Sequence, residues 1–218
     1  MKRLFLSALA LSFAFLTQAQ ITKGTTFIGG GLSFGDSKST GGDTTNSYTN
    51  PHSSSFNISP SISWAVKDNL VFGVFLGYGH SKTDYAATNT PVNKQDNYSA
   101  GVFLRKYKPV GSGFNLFLQG NLNFAYSKTS NEGVQQYEFT STTWGPSLGL
   151  APGIAYRLSH HWQAEAMLPG LVSVYYNHTS SSQENPGMQA YRPVTNNFGV
   201  STSVSNLTQF TLGILYSI

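Results

Sequence analysis

From residue 24 onward, apolar and polar positions alternate with a period of two, the mark of strands that show different faces to two environments. Residues 114–127 show it best. Phe114, Leu116, Leu118, Leu122, Phe124 and Tyr126 share one face with Gly120; Asn115, Phe117, Gln119, Asn121, Asn123, Ala125 and Ser127 share the other. Residues 198–218 repeat the pattern, and six more segments follow it: 24–36, 55–66, 70–83, 97–108, 142–157 and 162–177. The connections alternate. Lys67-Asp68-Asn69, Pro109–Gly113 and Ser159–His161 are short, whereas 37–54, 84–96, 129–141 and 178–197 are long and rich in Ser, Thr, Asn and Gly. Three tight turns and four long loops predict an eight-stranded antiparallel up-and-down meander with both termini on the tight-turn side. Pro60, Pro146, Pro152 and Pro169 fall inside predicted strands, and Pro cannot donate to a ladder, so bulges or register shifts are expected there.

The first 19 residues follow a different pattern. Lys2 and Arg3 precede an apolar run from Leu4 to Leu16, and Thr17-Gln18-Ala19 places small residues where a signal peptidase cuts. Residues 1–19 therefore read as a secretory signal peptide and 20–218 as one exported domain. Beyond residue 20 the longest apolar stretch, Leu70–Tyr78, has nine residues, far short of a spanning helix.

Alternation alone does not say which face is inside, and composition decides it. Ser (28), Thr (20), Asn (16) and Gly (22) are plentiful, while only 10% of the 218 residues are charged. A soluble barrel coats its outside with Lys and Glu, and domains in water carry about 25% charged residues. Here the polar face is Ser, Asn, Gln, Gly and Ala, which suits a crowded lumen. The other face carries large uncharged side chains for long enough to cross a bilayer at barrel tilt. Trp64, Trp144, Trp162, Tyr98, Tyr126, Tyr156, Tyr176 and Tyr216 lie near strand ends, as interfacial girdles require. The fold class read here is all-β, an eight-stranded antiparallel transmembrane β-barrel. Inward Gly29, Gly31, Gly73, Gly77, Gly101, Gly149, Gly153 and Gly213 leave room for Phe75, Phe103, Phe117 and Tyr107 in a narrow lumen. The net charge of +4 falls to 11 basic against 9 acidic residues once Lys2 and Arg3 are removed, with no basic stripe, so nucleic acid is not an expected partner. With no Cys, disulfides, thiol chemistry and Cys-ligated metals are excluded.

Taken with the signal peptide ending before Gln20, the strand Gly101-Val102-Phe103-Leu104-Arg105-Lys106-Tyr107 and the last strand are the residues that carry a family resemblance. The mature chain resembles the small outer-membrane β-barrel proteins of Gram-negative bacteria, of the OmpA/OmpX type, and porin-family barrels of the Bacteroidota. The resemblance implies an outer-membrane location, membrane lipid as surroundings, and the barrel-assembly machinery as a partner. In such families the last strand ends in alternating apolar residues with a terminal aromatic. Phe210, Leu212, Ile214 and Tyr216 match that assembly signal, and Ile218 stands where the family has Phe.

Arg105, Arg157 and Glu165 are the inward charges of the strand cores, each close to a tight turn. They are expected to meet as one cluster at the turn end, holding strands four, six and seven together. The cluster reads as a plug, since an eight-stranded barrel is just wide enough for side chains to fill; a gate or charge filter is the alternative. His160 and His161 adjoin a tight turn without further ligands nearby, and His52, His80 and His178 lie toward the long loops, so no metal site is expected. No cofactor motif is present: Gly29-Gly30-Gly31 lies within a strand rather than before a helix. No Ser/His/acid spacing stands out either, and no catalytic residues are assigned. The expectation is a non-enzymatic barrel with a filled lumen, serving envelope structure or recognition of an extracellular ligand through its long loops. A small channel for ions or apolar solutes is the alternative, and a lipid A-modifying enzyme a third reading. A barrel of this kind resists detergent until boiled. The purified protein should therefore migrate differently in gels before and after heating; an unchanged mobility, with recovery from the soluble periplasm, contradicts the barrel.

Overall fold

The computed structural model describes residues 21–38, 51–85, 92–111, 113–132, 138–168, 170–184, 191–202 and 211–218, and among them every regular element is a strand. In chain order these are β1 (Thr26–Lys38), β2 (Pro51–Lys67), β3 (Leu70–Tyr85), β4 (Val92–Gly111), β5 (Phe114–Glu132), β6 (Glu138–Arg157), β7 (Trp162–Met167), β8 (Val172–Glu184), β9 (Val194–Thr202) and β10 (Thr211–Ser217). Strands β1 to β6 pair antiparallel with their sequence neighbours. Both β7 and β8 pair with β6, through Gly153↔Met167 and Leu150↔Val172, so they are two halves of one seventh stave. In the same way β9 pairs with β8, while β10 pairs with β7 and with β1, where Leu215 faces Gln163 on one side and Gly29 on the other. The ten segments thus close into an eight-stave antiparallel barrel.

Two features refine the sequence reading. First, the irregularity expected at Pro152 is present and breaks the seventh stave, whereas those expected at Pro60 and Pro146 are absent. Between Leu150 and Gly153, β6 spends two residues while the facing chain spends 168–171, a local insertion of two. Pro152 sits opposite. Its carbonyl accepts the Leu168 N–H at 3.0 Å, but it has no N–H to return, so the ladder cannot run straight through. Pro60 and Pro146 cause no shift. Ile58↔Tyr78 and Ser61↔Phe75 flank Pro60 in one register, and Phe124↔Pro146 lies within an unbroken run. Pro169 itself lies outside the described residues. Second, most staves extend further toward the long loops than alternation indicated. β2 begins at Pro51 and β4 at Val92. There both faces carry Ser, Thr, Asn and His, because the hydrogen-bonded ladder continues past the level where one face must be apolar.

The apolar face points outward. Leu76, Leu122, Phe124, Leu148, Leu212 and Ile214 are all more than half exposed, which in water would be an aggregation hazard and in a bilayer is the lipid contact. Aromatics gather at both ends of this band. At the turn end Trp162 packs on Tyr216 with ring centroids 5.1 Å apart, and Phe114 on Tyr156 at 4.4 Å. Toward the loops Tyr78, Tyr98 and Tyr126 form a ladder across β3, β4 and β5, continued by Trp144 beside Phe124. Leu212, Ile214, Tyr216 and Ile218 are outward and exposed; Phe210 lies outside the described residues, as does the segment 1–19.

Among the described residues, those that fill the lumen gather in its turn-end half. Phe27, Ala65, Val71, Phe103, Tyr107, Phe117, Ala155 and Leu215 form the core, closed from below by Ile21. Ile21 is held there by the β2–β3 turn. Its N–H donates to Asn69 Oδ1 at 3.1 Å, and its carbonyl accepts the Asn69 N–H at 2.9 Å. Asn69 has φ +59°, a left-handed conformation that Asn tolerates, and its carbonyl in turn accepts the Tyr107 N–H. Small residues make the filling possible: any side chain at Gly73 would collide with Phe103, and any at Gly153 with Phe117. The tight turns and both ends of the barrel chain lie at this end, so the long connections occupy the other, which in such barrels faces outside. Protease added to intact cells should therefore cut between β1 and β2 or between β8 and β9. Cutting of intact cells near Lys67 or His160 contradicts this orientation.

Candidate functional site

Where the filled half of the lumen ends, β4, β5 and β7 each send polar side chains inward at one level. Alternation puts Arg105 and Tyr107 on the lumen side of β4, Phe117 and Gln119 on that of β5, and Gln163 and Glu165 on that of β7. Between β5 and β7, β6 contributes only Ala151, Gly153 and Ala155, and this absence of bulk gives Arg105 and Glu165 room to meet.

Arg105 Nη1 donates to Glu165 at 2.6 Å from each carboxylate oxygen and lies 2.7 Å from the Tyr107 hydroxyl. Arg105 Nε and Nη2 both donate to Gln119 Oε1, at 3.0 and 2.7 Å. Tyr107 donates its hydroxyl proton to Glu165 Oε1 at 2.8 Å, and Gln163 Nε2 donates to the same oxygen at 2.9 Å. The guanidinium lies 4.4 Å from the Phe117 ring centroid, a cation–π contact whose attraction grows when both groups are dry. The side chains of Arg105 and Glu165 are only 9% and 7% exposed. A buried ion pair recovers its desolvation cost only when the geometry is close and the remaining protons and lone pairs are occupied. Here Oε1 accepts three donors and Oε2 one, which meets that condition on the carboxylate side.

The structure thus brings together two of the three inward charges. Arg157 is placed lower, beside Gln163 in the β6–β7 register. It lines a separate cavity of about 320 Å³ at the turn end with Ile21, Thr22, His160, His161 and Trp162. The elements joined by the network are β4, β5 and β7; β6 joins only through its lack of bulk. Gln119, Gln163 and the hydroxyl of Tyr107 complete the network, and alternation marks them only as lumen-facing.

Above the ion pair, toward the loops, lies a cavity of about 580 Å³. Its floor is Arg105, Gln119 and Glu165 with Met167 and Leu215, and its wall is mostly Ser, Asn and Gly. Among the described residues, the side-chain filling expected of the lumen is present in the turn-end half, and the loop-side half holds this cavity.

The histidines are dispersed. His160 and His161 are exposed at the β6–β7 turn, where His161 Nδ1 lies 3.0 Å from the Ser217 carbonyl. His52, His80 and His178 point outward and pair separately with Asp36, Asp96 and Asn196. Among the described residues no group of three potential ligands is placed to hold a metal ion.

The fold is similar to that of the outer membrane protein OprG from Pseudomonas aeruginosa, at a TM-score of 0.53 and 16% identity, covering 90% of this chain and 97% of that one. A major outer membrane protein from Thermus thermophilus aligns at a TM-score of 0.49 and 11% identity, over 89% of this chain and 99% of that one. A search of curated proteins gives no match. The sequence model for the outer membrane protein beta-barrel domain matches residues 5–216, nearly the whole chain. With its lipid-facing apolar belt and closed eight-stave barrel, this chain belongs to the outer membrane protein β-barrel family and resides in the outer membrane.

Proposed function

We propose that this barrel is a non-enzymatic, non-conducting protein of the outer membrane, closed at its periplasmic end and working from its outer end. The observation that carries this reading is the Arg105–Glu165 pair with its shell of Tyr107, Gln119 and Gln163, which spans the lumen from β4 to β7. Beneath it Tyr107, Phe117, Phe27 and Ile21 pack the turn-end half of the lumen. An ion entering from outside meets a neutralised charge pair and then an apolar plug, neither of which replaces its hydration shell. The functional surface is then the upper lumen together with the outer connections, which suits recognition or an envelope role better than permeation. Catalysis gains no support from the geometry: Glu165 is fully engaged, and the described histidines lie outside the lumen or at the turn end.

A channel is the second reading, and the 580 Å³ cavity favours it, since a pore needs only the ion pair to part. One variant separates the two. Removing one member of a truly buried pair costs about 3–5 kcal/mol, with less expected here because water can reach the pair from the cavity above. In planar bilayers the wild-type protein should show no steady conductance. Glu165→Gln should lower the unfolding temperature and raise conductance only slightly, because Phe103, Tyr107 and Phe117 still fill the lumen. If Glu165→Gln leaves the unfolding temperature unchanged and opens a steady conductance, the ion pair is a gate and the protein a channel.

A further inference from the structure

The cavity above the ion pair has a chemistry of its own. Its wall presents neutral hydrogen-bonding groups from five staves: Ser61, Ser99, Asn121, Asn123, Ser147 and Ser173. Two aromatic rings, Phe75 and Phe103, lie along one side with centroids 6.5 Å apart and planes inclined by 39°. The floor carries two charges that are spent on each other at 2.6 Å, so the cavity offers no net charge to an occupant. The Asn123 side chain lies on this wall, and its Oδ1 is buried with no hydrogen-bond partner among the described residues. A volume of about 580 Å³ falls within the range of about 300–1,000 Å³ typical of small-molecule sites.

These features select among ligand classes. A charged solute entering the cavity loses hydration and finds no counter-charge. A purely aliphatic one leaves the hydroxyls and amides of the wall without partners, at a cost for each group. A solute with many hydroxyls around a ring and a C–H face between them meets both demands: its hydroxyls reach Ser and Asn from several directions, and its C–H face lies against Phe75 and Phe103. We propose that the upper lumen is a binding site for an uncharged polyhydroxylated solute of mono- to disaccharide size, with Asn123, its amide turned toward the cavity, as a principal acceptor. This site rests on the reading of the barrel as closed beneath the cavity, because the closed floor is what holds the solute.

The test uses the processed full-length barrel in nanodiscs of zwitterionic phospholipid, with D-glucose and maltose as probes and n-hexanol and glutamate as the competing chemistries. NMR titration of the Asn side-chain amides should give saturable shifts with one or both sugars and none with glutamate. Asn123→Leu should weaken sugar binding by about 10-fold or more, the loss expected when a buried hydrogen bond is removed. Ser147→Val, a smaller change at the residue of β6 that faces Asn123, provides a second test if the first variant folds poorly, and heat-shifted gel mobility reports folding for both. Lys106→Gln, on the lipid face, should leave binding unchanged. Absence of saturable sugar binding, tighter binding of hexanol or glutamate, or sugar binding indifferent to both lumen variants overturns the proposal. Liposome swelling with maltose keeps the two readings apart: swelling together with Asn123-dependent binding refutes the closed floor and leaves the sugar site standing, whereas no swelling and no binding refutes the site alone.

Discussion

Two opposite charges in a narrow lumen, cut off from bulk water on one side by Phe117 and Phe27, constrain almost everything else in this barrel. Arg105 and Glu165 are stable there only together, and only because Tyr107, Gln119 and Gln163 occupy their remaining hydrogen-bonding positions. The network demands that β4, β5 and β7 stand at matching heights, with small residues on β6 between them. It divides the lumen into a filled turn-end half and an open half toward the loops. The outer surface follows the opposite rule. It needs no specific partners, only uncharged bulk along the lipid band and aromatic rings near its edges.

Much of the architecture was legible because a barrel in a membrane is a two-faced object repeated eight times. The period of two separates Leu116, Leu118 and Leu122 from Phe117, Gln119 and Asn121, and the scarcity of charge says which set meets lipid. What alternation does not carry is height. Arg105, Arg157 and Glu165 are all lumen-facing, but parity gives the same answer at every second residue. Arg105 and Glu165 are each four residues from their turns and meet; Arg157 is two from Ser159, and at about 3.3 Å per residue it ends below the network. The stagger between staves sets this, and no single strand encodes it.

Other features were hidden for reasons equally local. The loop-side extensions of β2 and β4 carry polar residues on both faces, so hydrophobic periodicity ends while hydrogen bonding continues. The prolines look alike in sequence and act differently. Pro152 has its missing donor turned toward the seventh stave and breaks it, while Pro60 and Pro146 leave the register intact. Ile21, a lone apolar residue just after the expected cleavage point, gives no periodic signal, yet it closes the lumen from beneath through its two hydrogen bonds to Asn69. Gln119 and Gln163 carry no signal of their own as neutral amides among many, though they occupy hydrogen-bonding positions that the charged pair leaves open.

Arg105 and Glu165, on this view of the lumen, stabilise the barrel as a pair and not as two independent contacts. A double-mutant cycle measures that directly, using unfolding free energies in lipid vesicles for Arg105→Met, Glu165→Met and the two together. If the pair acts as a unit, each single variant strands a buried charge, and the double variant, with an uncharged lumen of similar volume, regains much of the loss, giving a coupling energy of at least about 2 kcal/mol. Losses that add, with coupling within about 0.5 kcal/mol of zero, contradict the account.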